Sequence, residues 1–241
     1  RMGKPILIIK TGNTIDSLLV RGEDFEDWFI AESKFGAENF IVKSLHLNEE
    51  LDELDDIAGI IITGSAAYVT DEEAWNFTAA DYLRSAFQRD IPVLGVCYGH
   101  QLIAWAFGGK VDFHPGGREI GSVSIVLSEG AMNDPIFSSL PSQFHVQVTH
   151  QQSVTLLPPN AVRLAANEFD PNQAFRLGGN VWGVQFHPEF SANVIKEYIT
   201  AREVDITLEG LDPLQLLADV EDTPVSAELL YRFCRLVFDG N

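Results

Sequence analysis

Cysteine is scarce: two residues in 241, Cys97 and Cys234. Two thiols make no disulfide framework, so a reducing cytoplasm is the expected compartment. Basic residues are also few, with 16 Lys plus Arg against 35 Asp plus Glu, for a formal charge of −19. That balance excludes nucleic acid, whose phosphates need clustered cations, and it excludes an anionic membrane surface. No apolar run reaches the roughly 20 residues that span a bilayer. Arg1-Met2-Gly3-Lys4-Pro5 leads straight into Ile6-Leu7-Ile8-Ile9 without a signal-peptide layout, so no secretory leader is expected. The chain lacks His-Glu-x-x-His, paired Cys-x-x-Cys and the phosphate-binding Gly-x-x-x-x-Gly-Lys. Its six histidines are scattered, and His145 and His150, five apart in a strand-like run, point to opposite faces. No metal, nucleotide or other cofactor is expected.

What remains is an ordinary globular composition, 46% hydrophobic and 21% charged. A chain this long buries roughly 70–75% of its extended surface in one large domain. Short apolar runs alternate with amphipathic stretches over the first two-thirds, the pattern of a mixed, mainly parallel sheet flanked by helices. Strands are predicted at 5–9, 40–45, 57–63 and 91–96, and helices at 22–36, 71–88 and 100–107. In the second helix Thr70 and Glu73 have the spacing of a capping box, with Phe77, Ala80, Leu83 and Phe87 along one face. From Lys110 to Gln185 the chain turns β-rich, with strands at 122–127, 143–149, 162–166, 173–177 and 181–186. After Pro188 it is helical again, and a last helix begins at Pro224 with Leu229, Leu230, Phe233, Leu236 and Val237 on one stripe. The acidic run Glu49–Asp56 reads as a solvated connection. Residues 205–222 make a break too short to separate domains.

The chemistry concentrates in Val93-Leu94-Gly95-Val96-Cys97-Tyr98-Gly99-His100-Gln101. Strand, Gly-x-Cys-x-Gly, then helix is the layout of a nucleophile elbow with sulfur in place of a serine hydroxyl. The nucleophile stands on a sharp turn, the glycines on either side allow close chain approach, and the following helix aims its amides at the sulfur. A helix N-terminus favours the reactive thiolate over the thiol. Cys234, inside the last amphipathic helix, reads as a buried small hydrophobe. A nucleophile of this kind needs a base and the base an orienting group. His187 ends the apolar run Val181–Phe186, where a side chain reaches a nucleophile on a neighbouring strand, and Glu189 two residues on can hold its tautomer.

These residues resemble the class I glutamine amidotransferase family. Gly95-Val96-Cys97-Tyr98-Gly99-His100-Gln101 is similar to that family's Gly-x-Cys-x-Gly-x-Gln elbow, and Phe186-His187-Pro188-Glu189 to its His-Pro-Glu segment, in the family's order and 187 − 97 = 90 residues apart. The resemblance covers residues 4–200 and leaves 201–241 as a helical extension packed on the same domain. It implies a flavodoxin-like α/β fold and a triad of Cys97, His187 and Glu189. It also implies an oxyanion hole from the amides of Gly64 and Tyr98, although Ser65-Ala66-Ala67 departs from the family's glycine-rich loop. Gln101 matches a residue that contacts bound glutamine, and Thr149-His150-Gln151 a segment whose backbone holds the amino-acid head.

The implied reaction is cysteine-dependent hydrolysis of the glutamine side-chain amide through a γ-glutamyl thioester, releasing glutamate and ammonia. No synthetase motif follows the His-Pro-Glu segment, and Gly117-Arg118-Glu119-Ile120-Gly121 resembles the standalone, GMP-synthetase-like branch. Three readings stay open: a glutaminase subunit feeding a synthetase encoded elsewhere, a γ-glutamyl peptidase acting on γ-glutamyl peptides or conjugates, and, ranked last, a non-catalytic regulatory homologue. A synthetase partner of so acidic a chain should offer a basic face.

Overall fold

A computed structural model describes residues 3–240; Arg1 and Met2, part of the leader question above, and Asn241 of the C-terminal extension lie outside the described residues. The apolar runs form the strands β1 Ile6–Lys10, β2 Phe40–Ser44, β3 Gly59–Ile62, β4 Val93–Val96 and β11 Val181–Val184. These five pair in parallel in the order β2-β1-β3-β4-β11. The sheet continues antiparallel through β10 Ala174–Leu177, β9 Val162–Ala166, β6 Glu119–Leu127 and β7 Gln143–His150. Since β10 and β6 alone run against the others, seven of nine strands share one direction. The fold is a mixed, mainly parallel sheet flanked by helices.

The inner parallel strands β1, β3, β4 and β11 are buried on both faces, which is why they read as unbroken apolar runs rather than alternating ones, whereas the edge strand β2 is mostly half-buried. Ile6 and Ile8 point to one side, into a core with α1 Asp16–Leu19, α2 Phe25–Ser33, α5 Ala192–Ala201 and α8 Pro224–Asp239. Leu7 and Ile9 point to the other, against α3 Ala74–Gln88 and α4 Tyr98–Ala106. In α8 the side chains of Leu229, Leu230 and Phe233 are fully buried, and Phe233 meets Trp182 of β11 edge to face at 6.0 Å.

Several sequence expectations need correction. The helix expected at 22–36 is the shorter α2: Asp24 caps its start in a capping box with Asp27, and Lys34 ends it in the left-handed region, φ 66°. The helix expected from Asp71 begins at Ala74. Val69–Asp71 form a single 3₁₀ turn and Glu72 adopts φ 48°, which breaks the helix before Thr70 and Glu73 can form a capping box. The Thr70 hydroxyl instead accepts from Gln152 Nε2 at 2.7 Å. Phe77 is 52% exposed and lies edge to face on Trp105. Two further strands, β5 Lys110–Phe113 and β8 Gln152–Leu156, lie outside those expected and pair in a separate two-stranded sheet. The stretch 205–222 is not a break, since it carries most of α6 Glu203–Leu208 and all of α7 Pro213–Ala218.

Candidate active site

Cys97 sits at the carboxyl end of β4 and is the residue immediately before α4, with φ 54° and ψ −102°. A non-glycine residue held at positive φ is strained, and such strain persists only where surrounding structure imposes it. Here the imposition is visible. A Cβ on Gly95 would lie 2.5 Å from the carbonyl oxygen of Gly99, and one on Gly99 would lie 2.6 Å from that of Ile62. The turn closes because both positions lack side chains. Cys97 thereby stands at the N-terminal, positive end of α4.

Strand order brings the partners. β4 lies between β3 and β11, so Gly64, Cys97 and His187 follow the ends of three neighbouring parallel strands. The carboxyl ends of such strands are where open α/β sheets bind ligands. The Cys97 amide donates to Val184 at 2.9 Å, and the His187 amide donates to Gln147 at 2.8 Å. His187 Nδ1 meets Glu189 Oε2 at 2.9 Å, and both side chains are almost fully buried. The imidazole stacks on Phe190, centroids 4.0 Å apart, with Phe25 parallel at 6.0 Å. Burial disfavours the charged ring, but the carboxylate of Glu189 and then the sulfur of Cys97 outweigh it and push the pKa up to about 10. His187 is thus held as a proton donor beside the sulfur.

A cavity of about 610 Å³ opens over Cys97. Tyr98, Gln101, Thr149, His150, Gln151 and His187 of the expected site all line it. Gly64 is not itself among the lining residues, though its neighbours Ser65–Ala67 are; a Cβ there would lie 2.9 Å from His187 Cε1. Its carbonyl accepts from the hydroxyls of Thr11 and Thr63. Among the described residues the amides of Gly64 and Tyr98 have no acceptor.

The Thr149 carbonyl accepts from Cys97 Sγ at 3.6 Å. Gln101 donates through Nε2 to the carbonyl of Gln152 at 2.8 Å and to Gln185 Oε1 at 3.1 Å. Gln151 accepts the Tyr68 hydroxyl through its side chain and the His114 amide through its carbonyl.

Several contributors carry no role that the sequence pattern assigns. Gln185 donates from Nε2 to Cys97 Sγ at 3.6 Å; a glutamine inside the apolar run Val181–Phe186 was the available signal. Glu119 pairs with His150 beneath the cavity at 2.7 Å. On the far wall Tyr198 holds the Thr14 hydroxyl at 2.7 Å and packs on Phe190 at 5.0 Å. Cys234 is wholly buried, and burial pushes its thiol pKa up, away from reactivity. No group of three or more His, Cys, Asp or Glu able to hold a metal ion occurs among the described residues, and no helix there is long and apolar enough to cross a membrane.

Three comparisons bear on this geometry. A family model described as "Glutamine amidotransferase class-I" matches residues 31–206. The chain is 34% identical over 143 residues to the glutamine-hydrolysing GMP synthase of Porphyromonas gingivalis, covering 59% of this chain but only 27% of that protein. It is 30% identical over 190 residues to gamma-glutamyl peptidase 4 of Arabidopsis thaliana, covering 78% of this chain and 70% of that one. A crystal structure of a glutamine amidotransferase from Thermotoga maritima superposes with a TM-score of 0.76 at 23% identity, over 97% of this chain and 98% of that one, a likeness of fold.

Proposed function

We propose, for a chain that belongs to the class I glutamine amidotransferase family, that it hydrolyses the side-chain amide of glutamine through a thioester on Cys97. One observation carries this reading: Cys97 and His187 end adjacent parallel strands, with Glu189 on the far nitrogen of the ring. The Cys97 thiolate attacks the γ-carbonyl carbon, forming an S–C bond. The Gly64 and Tyr98 amides take the oxyanion, an effect worth about 10²–10³ in rate for one comparable donor. The C–N bond then breaks, and ammonia leaves with a proton from His187. Water, deprotonated by His187, next attacks the thioester; a C–O bond forms, the C–S bond breaks, and glutamate departs. Gln101 and the Thr149–Gln151 segment face the amino-acid head.

A second reading, a γ-glutamyl peptidase, shares every step and differs in the leaving amine. The cavity supports it, since about 610 Å³ is ample for a γ-glutamyl residue plus a further one. A non-catalytic regulatory role ranks last, because the triad residues Cys97, His187 and Glu189 are all present in the sequence. In the glutaminase reading the ammonia serves a synthetase partner. Val204, Leu208, Leu211 and Leu214 are exposed apolar side chains on and between α6 and α7, in the stretch of chain that also gives the cavity Arg202 and Asp205. The acidic Glu203, Glu209 and Asp212 border them in sequence, which fits a partner with a basic face. Residues 4–200 would form the catalytic domain and 201–241 the extension.

Assay of the purified chain with glutamine and with a γ-glutamyl dipeptide tests the choice. Turnover of the dipeptide by the chain alone supports the peptidase. Sluggish glutamine hydrolysis that a synthetase accelerates, with salt weakening the complex, supports the glutaminase. Neither substrate turned over under any condition would overturn both.

A further inference from the structure

Two arginines line the cavity over Cys97, and their situations differ. Arg118 is held in a fork by Glu209, Nε to Oε1 at 2.9 Å and Nη2 to Oε2 at 3.1 Å. Arg202, in a chain with more than twice as many acids as bases, has no ion pair and no side-chain hydrogen bond among the described residues. Its position identifies the part of the cavity it serves. Arg202 follows α5 one turn after Tyr198, so the two side chains share a helix face. Tyr198 packs on Phe190, which stacks on His187. The charge of Arg202 also reaches the Tyr198 hydroxyl. Arg202 therefore belongs to the same side of the cavity as Tyr198 and His187, the His187 wall.

The His187 wall is where the leaving amine collects its proton, so a group beyond the scissile nitrogen extends toward Arg202. Ammonia has nothing to offer an unpaired guanidinium there. An amino acid leaving through its α-nitrogen carries a carboxylate two bonds away. We infer that Arg202 is a specificity-determining residue that selects γ-glutamyl amino acids, reading the carboxylate of the leaving group from the His187 wall. This rests on Cys97 attacking the γ-carbonyl, and it narrows the second reading to a substrate class.

Binding tests the inference without turnover. In full-length Cys97→Ser protein, calorimetry compares γ-glutamylglycine with γ-glutamylglycinamide, which differ only in the leaving-group carboxylate. The acid should bind about tenfold tighter, the lower end for one charge-assisted contact because Arg202 is partly exposed. Adding Arg202→Gln should bring the ratio to about one, and Arg202→Lys should retain part of it. Unchanged thermal melts would show that the variants fold, as expected for a guanidinium without a partner. Equal affinities in Cys97→Ser, no measurable binding of either ligand, or a preference that survives Arg202→Gln would overturn the inference. A preference lost with Arg202, in a parent chain that turns over neither compound, would uphold Arg202 and refute the hydrolytic reading instead.

Discussion

His150 and Glu119 form a buried pair under the cavity floor, His150 Nε2 donating to Glu119 Oε1 at 2.7 Å. The other ring nitrogen, Nδ1, meets the carbonyl of Gln152 at 2.8 Å. Both partners accept only, so the ring satisfies them by carrying two protons. Burial opposes that charge, but Glu119 overrides it and raises the His150 pKa; the carboxylate in turn is lowered against its own burial by His150, Asn167 and Gln173.

Glu119→Gln should therefore destabilise the fold by about 3 kcal/mol, as for breaking a buried pair from one side. The pH dependence has a definite sign. A raised histidine pKa gives stability that is complete below the ordinary value of 6.5 and is lost as pH rises through the folded value. Urea titrations of parent and variant should differ most near pH 6 and converge in alkaline buffer. A gap that widens with pH would contradict the pair.

This pair also marks the boundary of what the sequence reveals. The elbow was legible because Gly95, Cys97 and Gly99 are neighbours in the chain, although the contact that keeps Gly99 bare comes from Ile62 on β3. His187 and Glu189 were legible for the same reason, as a short motif at a strand end. Glu119 and His150 are 31 residues apart, and only the β6–β7 register puts them opposite each other. Arg202 and Tyr198 reach the site from a helix beyond the motifs. The capping misreading at Thr70 arose because nothing local announces a left-handed Glu72. Strands β5 and β8 went unseen because Lys110–Phe113 is largely exposed and lacks an apolar run.

Glu189→Gln should reduce turnover by about 10²–10⁴, by analogy with general acid–base groups and their orienting carboxylates. Without Glu189, burial dominates, and the His187 pKa should fall from about 10. Nuclear magnetic resonance titration of the His187 ring checks this separately from rate. An unchanged titration would remove Glu189 from its orienting role.

Gly99→Ala should leave a folded protein with a displaced elbow. The added methyl would lie 2.6 Å from the Ile62 carbonyl, so backbone must shift. We expect about 1–3 kcal/mol of lost stability and about 10² lost in rate from a misplaced nucleophile. Full activity would mean that the close approach is not required.

Phe233→Ala should cost about 3–5 kcal/mol, because the ring is fully buried against Trp182. A loss that large by urea denaturation makes α8 part of the fold. A change below about 1 kcal/mol would mark α8 as a detachable appendage.

The central claim, a γ-glutamyl thioester on Cys97, is open to direct measurement by acid-quenching the protein during turnover with glutamine and weighing its peptides. The account predicts one γ-glutamyl group on the peptide containing Cys97, none on that containing Cys234, and neither adduct nor glutamate from Cys97→Ala. Glutamate released at the parent rate by Cys97→Ala, or an adduct on any other residue, would contradict it.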